Sequence, residues 1–292
     1  MTTQVNIREL GGWDLDAYAW RDRAISRESL EEQVACSKQL VRCRAPFGAG
    51  DAALLSAGAL QYEEWLRPQR MRAELQEEMK GLDWSLGVVD LRRLIAFQRR
   101  LVLDPELPPP PVPQQDDWQA LCELAFEGRR SLAHRVWSSK MHGDGLELRL
   151  ESPNPDLRIT VSGQFTGDAL PLRLTGGSPF FEVAEYRGRW LLRDGYHRAF
   201  QMLRAGVYMA FAVIVRARTM EEVGAVDPWF FREATLFSSR PPMVTDFLND
   251  DLVLTYTRPR LRKMISVRIE ESLEALEESS AETLLQQQGG RE

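Results

Sequence analysis

The chain has 292 residues, of which 43% are hydrophobic and 27% are charged, and its formal net charge is −6 at pH 7. These proportions are typical of a water-soluble folded protein, and no apolar run reaches the roughly 18 residues that a membrane-spanning helix needs. The acidic balance disfavours a general nucleic-acid binder, because such proteins carry an excess of lysine and arginine that neutralises phosphates.

The N-terminal segment and the cysteines both indicate a cytoplasmic protein. The chain starts without a basic stretch followed by an apolar one, so we expect no secretory signal. Cys36, Cys43 and Cys122 are an odd number, which fits reduced thiols packed in a core rather than a disulfide framework.

Hydrophobic periodicity predicts that region 1–104 is mainly helical. Ser26 or Ser29 is placed to cap a first helix. The further elements predicted in this region are a helix over 52–65, a helix that follows Pro68, a strand over 86–89 and a helix over 91–102.

Residues 105–116 hold six prolines in their first nine positions. A tract of this kind adopts an extended polyproline conformation, so we expect a linker or a rigid strap across the surface. A recognition ligand for an aromatic groove of a partner protein is the alternative interpretation.

The pattern changes from helical to alternating beyond the proline tract. A helix is predicted over 117–139, followed by strands over 146–150, 157–161 and 170–174.

The C-terminal region is predicted to be helical. Short helices are expected over 229–234 and 243–248 and a longer helix over 266–285, before a frayed tail. Residues 258–263 carry four positive charges in six, which we interpret as a solvated helix face rather than a nucleic-acid contact.

The most informative segment is a hairpin, a charged glycine corner, a helix and a strand. Two apolar runs, 180–186 and 190–192, flank the turn 187–189 and predict a β-hairpin. The second strand leads into 194–198, where a helix begins, and the run 208–215 predicts a buried strand. In the first turn of a helix, unpaired backbone N–H groups and the helix dipole favour an anion.

The stretch RDGYHRAFQMLRAGV resembles the D-G-x-H-R box of the ParB/sulfiredoxin-like superfamily, followed by an alanine-rich helix and a glycine. The resemblance covers about residues 180–216. It implies a small mixed β-sheet of ParB/sulfiredoxin type and a turn that holds nucleotide phosphates, those of CTP in ParB and of ATP in sulfiredoxin. A second stretch, residues 88–95, resembles the V-D-L-x-x-L entry that opens ParB-like domains.

The chain also departs from the pattern of that superfamily. Sulfiredoxin carries its reactive cysteine directly before the histidine of the box, where this chain has Tyr196, so sulfinic-acid repair is not expected. The second arginine-rich stretch of ParB and its helix-turn-helix domain do not occur at the corresponding places.

These patterns together predict an α+β protein. Its predicted parts are a mainly helical region 1–104, the proline-rich linker or strap 105–116, a ParB/sulfiredoxin-like core 117–218 and a C-terminal helical extension 219–292 with a frayed tail.

Each residue of the box has a structural and a functional interpretation. Gly195 suits a turn of positive φ and also lets a phosphate approach the backbone. Asp194 suits a helix N-cap, and equally the binding of Mg²⁺ or the fixing of Arg198. The resemblance implies that Asp194, Gly195, His197 and Arg198 bind nucleotide phosphates and that Tyr196 packs beside a ring or a base. Imidazole and guanidinium N–H groups are suited to phosphate oxygens.

No catalytic residue and no metal site is predicted. His134 and His142 are eight residues apart with no cysteine nearby, which is not metal-site spacing. The cofactor hypothesis is CTP or ATP with Mg²⁺.

Three functions are compatible with the sequence. The first is a ParB-like nucleotide-binding protein, a nucleotide-dependent switch or a hydrolase. The second is a non-catalytic protein-interaction module that retains the fold and contacts a protein partner through its helical flanks. The third is a DNA-binding protein or nuclease of the same superfamily, which the net charge of −6 disfavours.

Overall fold

The computed structural model describes residues 4–13, 27–48, 54–57, 60–106, 110–126, 135–140, 146–152, 157–161, 172–175, 178–224 and 230–269. His134, His142 and most of the predicted helix over 266–285 lie outside these residues. Within them the protein is of the α+β class, as the sequence predicts.

The strands in the described part of the chain are β1 (Gln4–Leu10), β2 (Leu54–Ala57), β3 (Trp84–Asp90), β4 (Ile95–Ala96), β5 (Arg100–Leu103), β6 (Arg135–Lys140), β7 (Leu146–Ser152), β8 (Arg158–Val161), β9 (Leu172–Thr175), β10 (Glu182–Tyr186), β11 (Arg189–Asp194), β12 (Met209–Arg216), β13 (Val253–Pro259) and β14 (Lys263–Ile269). The helices are α1 (Arg27–Cys43), α2 (Glu63–Arg70), α3 (Ala73–Glu78), α4 (Trp118–Phe126), α5 (Tyr196–Arg204), α6 (Met220–Val223) and α7 (Glu233–Leu236), with 3₁₀ turns at Leu60–Tyr62, Leu91–Arg93 and Val244–Leu248.

The chain forms two compact units. The first consists of Met1–Arg130 and Ser178–Arg260, and it holds a six-stranded sheet and the three-stranded sheet β13-β1-β5. The second consists of Ser131–Gly177 and Leu261–Glu292, and it holds the sheet β14-β7-β6 and the pair β8-β9. The domain boundaries predicted from the sequence stay a prediction.

The six-stranded sheet has the order β2-β3-β12-β10-β11-β4 and carries the 194–198 turn. Its central strand β12 is apolar from Met209 to Val215 and buried from Ala210 to Val215, which is expected of a strand that is covered on both faces. β12 runs parallel to β10 and antiparallel to β3, while β4 runs parallel to β11. The 88–95 stretch therefore lies in the same sheet as the hairpin and the strand after α5.

The predicted hairpin is present as β10 and β11. Tyr186 pairs with Arg189, so the connection has two residues, Arg187 and Gly188. Their φ angles are 51° and 74°. Positive φ at both central positions defines the turn type whose twist matches two antiparallel strands, and glycine at the second position favours it.

An aromatic cluster fills the space above β12. The ring of Phe211 has Tyr62 at 5.8 Å, Trp118 at 5.9 Å and Trp65 at 6.5 Å, measured between ring centroids. Trp65 lies in α2 and Trp118 in α4, so these two helices cover one face of the sheet. The partly buried rings of Tyr62, Trp65 and Trp118 pack against the buried Phe211, and such aromatic packing stabilises this part of the core.

Several predicted helices are wrong. Residues 91–102 form one 3₁₀ turn and the strands β4 and β5, because pairing with β11 and β1 overrides a helical pattern of apolar residues. The predicted helix over 52–65 gives way to β2 at 54–57, and the end of the 117–139 helix is replaced by β6.

The C-terminal region also differs from the predicted helical cover. Residues 253–259 form β13, which pairs with β1 along seven residues. Residues 266–269, expected to begin a helix, belong to β14, which pairs with β7. The alternation of apolar and polar residues in Lys263–Ile269 has the period of a strand. The helix is predicted because the charged residues that follow have a helical pattern.

Among the residues that the structure describes, no helix is both long and apolar enough to cross a membrane.

Candidate functional site

The turn between β11 and α5 is built around Gly195. This residue is the N-cap of α5 and has φ of 103°, a conformation that residues with a Cβ rarely adopt. A Cβ at this position would also lie 2.5 Å from Cδ2 of Phe181, which is buried. Both the backbone angle and the close packing therefore require glycine here.

Asp194 lies at the end of β11, directly before this turn, and its side chain contacts the backbone of the turn. Its Oδ1 accepts a hydrogen bond from the N–H of Gly195 at 2.5 Å. The side chain is half-buried, at the end of β11. Asp194 therefore fixes the chain just before the helix, but it is not the helix N-cap predicted as its structural role, because Gly195 holds that position and no side chain caps α5.

Tyr196 is a core residue of the first helical turn. Its hydroxyl accepts hydrogen bonds from the N–H groups of Phe97 at 2.9 Å and Gln98 at 3.1 Å. Its ring lies edge-on to Phe97 and Phe247 at 6.1 and 6.2 Å. Burial raises the pKa of the phenol above its usual value. The rings that it contacts are the protein's own.

His197 is exposed at the start of α5. Its Nε2 lies 2.6 Å from the carbonyl oxygen of Val102 in β5. Because a carbonyl oxygen only accepts, Nε2 carries the hydrogen and donates it. The imidazole thus links α5 to the strand β5 while one edge of the ring remains accessible at the surface.

Arg198 binds main-chain oxygens. Its Nη1 donates to the carbonyls of Leu124, Ala125 and Pro179, each at 3.1 Å, and its Nη2 donates to Phe180 at 2.7 Å. One guanidinium thereby ties the end of α4, the segment before β10 and the first turn of α5 together. Both terminal nitrogens are engaged by the protein itself, although the sequence predicts that they bind phosphate.

A buried ion pair lies beside the turn. Glu182 at the start of β10 is 2% exposed and its Oε2 is 2.5 Å from Nη1 of Arg193. Burial raises the pKa of Glu182 to about 7, against the lowering effect of Arg193, and Asp194 adds to the rise. Glu182 is opposite Asp194 across the hairpin, so two carboxyl groups and one guanidinium meet at this edge of the sheet.

The structure thus brings the five predicted site residues together in one turn. Gly195 leaves α5 without a side-chain cap, and the first N–H groups of a helix have no partner within the helix. Main-chain N–H groups and the exposed His197 are what the turn can present to an anion. The phosphate-binding roles of Asp194, Gly195, His197 and Arg198 stay predictions.

A second polar feature, which the sequence did not reveal, is an arginine-lined cavity of about 450 Å³. Its lining residues are Arg44, Ala45, Pro46, Phe47, Asp90, Arg92, Arg93, Arg240, Pro241 and Met243. Arg92 and Arg93 belong to the 88–95 stretch, so that motif marks two of the residues that line the cavity. Arg44 and Arg240 are 196 positions apart, and no local pattern links them.

The only acidic residue in the lining of this cavity is Asp90. It is buried, and its Oδ1 and Oδ2 accept hydrogen bonds from Nε of Arg92 at 2.9 Å and Nη2 of Arg92 at 2.8 Å. Burial alone raises the pKa of Asp90, but these bonds and one from the N–H of Arg92 outweigh it and hold the pKa below its usual value. Asp90 is therefore a carboxylate that positions Arg92.

Within the described residues, no three histidine, cysteine, aspartate or glutamate side chains are grouped to hold a metal ion. Comparison with protein-family models, with curated proteins and with solved structures finds no match for this chain.

Proposed function

We propose that this protein is a ParB-like nucleotide-binding protein that holds the phosphates of CTP or ATP at the 194–198 turn. The observation that carries the proposal is the hairpin, left-handed glycine, helix and parallel strand, which occur in the order that the resemblance implies. A phosphate would accept hydrogen bonds from the main-chain N–H groups that begin α5 and from Nδ1 of His197 in its cationic form, since Nε2 donates to Val102.

The roles of the predicted residues divide in this proposal. Arg198 positions the turn through its four carbonyl contacts, and Asp194 fixes the N–H of Gly195. His197 is the side chain placed to contact the nucleotide. Mg²⁺ would enter with the nucleotide, bound by its phosphate oxygens, which is the usual way that proteins hold this ion.

A nucleotide panel tests the proposal. Thermal unfolding of the full chain is measured with CTP, ATP, GTP and UTP at millimolar concentration, with and without Mg²⁺. We expect at least one to raise Tm, because a ligand that binds only the folded state stabilises it. His197→Ala should reduce that rise, and Arg204→Ala, an exposed cation at the other end of α5, should not. If no nucleotide raises Tm, the proposal is wrong.

The second candidate is a non-catalytic interaction module in which the turn is structural. The observation that favours it is the engagement of Arg198 by carbonyls of 124–125 and 179–180. On this alternative Arg198→Ala lowers stability, and no nucleotide raises Tm in a way that depends on His197. A nucleotide-induced rise in Tm of the wild-type protein that His197→Ala removes would contradict it.

A further inference from the structure

We propose that the arginine-lined cavity binds a small organic phosphate at a site separate from the 194–198 turn. The phosphate group would contact Arg240, Arg92 and Arg93, and the organic part would lie against Phe47 and Met243. None of the residues 194–198 lines this cavity.

The charge of the cavity selects an anion. Four arginines line it, and Asp90 and the adjacent Asp246 offset two of their charges, so an excess of two positive charges remains. Asp246 binds Arg44 through both of its oxygens. A phosphate monoester carries close to two negative charges at neutral pH, which complements that excess.

Arg240 supplies the donors. Its Nε donates to the carbonyl of Arg44 at 2.7 Å, which fixes the direction of the side chain. Within the described residues its two terminal nitrogens have no hydrogen-bond partner, and the side chain is half-buried. A guanidinium held by Nε with both terminal nitrogens available is suited to bind two phosphate oxygens at once.

The walls of the cavity are fixed before any ligand arrives. The N–H of Phe47 donates to Ser239 at 2.7 Å, which joins the wall 44–47 to the wall 239–243. The N–H of Ala96 donates to Pro242 at 2.9 Å, and Asp90 caps the turn that carries Arg92. A preformed site loses less conformational entropy on binding than a mobile one.

Size and apolar lining indicate an organic phosphate rather than inorganic phosphate alone. A volume of about 450 Å³ is within the range of small-molecule sites and exceeds the need of a single phosphate. Phe47, Pro46, Pro241 and Met243 offer apolar contacts beside the arginines. Such a mixture of apolar walls and a few convergent charges is typical of ligand pockets.

The test uses isothermal titration calorimetry of the full chain with phenyl phosphate, inorganic phosphate and phenol. We expect phenyl phosphate to bind more tightly than either of the others, because only it uses both kinds of contact. Arg240→Gln should weaken phenyl phosphate about tenfold, since it removes charge-assisted hydrogen bonds. Arg232→Gln is the matched control, because it removes the same charge from an exposed side chain outside the cavity.

Two results would overturn the proposal: no binding of phenyl phosphate at millimolar concentration, or equal binding by the Arg240→Gln and Arg232→Gln variants. A further measurement uses only the wild-type protein, so its result does not depend on whether a variant folds. Phenylglyoxal modifies accessible arginines, and mass spectrometry should show that phenyl phosphate protects Arg240 and leaves Arg232 reactive. Equal modification with and without phenyl phosphate contradicts the site.

The same experiments distinguish this site from the proposed nucleotide site. His197→Ala should leave phenyl phosphate binding unchanged, and Arg240→Gln should leave the nucleotide-induced rise in Tm unchanged. Failure of the nucleotide panel together with binding of phenyl phosphate would remove the proposed function and leave the cavity as an anion site.

Discussion

The 194–198 turn and the arginine-lined cavity both bring cations to the first unit, but they differ in how the donors are used. Arg198 gives its terminal nitrogens to four main-chain carbonyls, whereas the terminal nitrogens of Arg240 have no partner among the described residues. An arginine in a recognisable motif can therefore hold the fold, while one outside any motif can have terminal nitrogens that no described residue engages. Four substitutions test this contrast.

Gly195→Ala should have the largest effect on the free energy of unfolding. The positive φ and the 2.5 Å approach to Phe181 together should lower it by about 3–5 kcal/mol. Urea denaturation measures the loss. Gly81→Ala is the control, because Gly81 has φ of 84° with no atom within 4 Å of its added Cβ, so it isolates the backbone contribution. Equal losses would show that packing against Phe181 is not restrictive.

Arg198→Ala should lower the free energy of unfolding by about 2–4 kcal/mol, because it leaves carbonyl groups of two segments without their donor. Chemical denaturation measures it, with Arg204→Ala as the control on the same helix. A loss no larger than that of Arg204→Ala would break the contrast, because the guanidinium of Arg198 would then be available to a ligand at little cost.

Glu182 should make the free energy of unfolding depend on pH. Its pKa is about 7 in the folded protein and 4.5 in the reference state, so the folded state binds the proton more tightly. Stability from this group is full below about 4.5 and is lost as pH rises towards 7. The wild-type protein should therefore lose free energy of unfolding relative to Glu182→Gln as the pH rises from about 4.5 to about 7. Ser178, Arg193, Asp194 and Glu78 are the groups that act on this carboxyl.

A constant difference across that pH range would show that Arg193 keeps Glu182 ionised throughout. The measurement is urea denaturation of both proteins at a series of pH values. Comparing two variants in the same buffers cancels the titration of the remaining carboxylates.

Arg240→Gln should have the smallest effect on stability, less than about 1 kcal/mol, because only the hydrogen bond to the carbonyl of Arg44 is lost. Thermal and urea unfolding measure it beside Arg232→Gln. A loss as large as that of Arg198→Ala would place Arg240 among the structural arginines and would remove the contrast between the two regions.

The hairpin, α5 and β12 could be predicted from the sequence because their signals are local. A short turn with glycine, a helical stripe and an apolar run each lie within about ten residues. The region 91–103 could not, because its apolar spacing fits a helix, and only the distant strands β11 and β1 make it extended. The conformation of this region is decided by pairing with strands that are distant in the sequence, and local apolar spacing does not contain that information.

The candidate site shows the same limit. The position of Gly195, with its positive φ, follows from the sequence alone. The carbonyls that engage Arg198 belong to residues 124–125 and 179–180, and no sequence pattern near the box predicts these contacts. The arginine-lined cavity combines walls from three distant segments, so the cluster arises only after folding.

The central position of β1 has a consequence for synthesis of the chain on the ribosome. β1 pairs with β5 on one side and with β13 on the other. The first partner emerges early, but the second follows about 150 residues later, roughly 8–30 s at usual elongation rates. During that interval one edge of a nascent strand is bare and open to pairing with other chains. A polypeptide that stops before residue 253 keeps that edge permanently, so we expect such truncated products to aggregate.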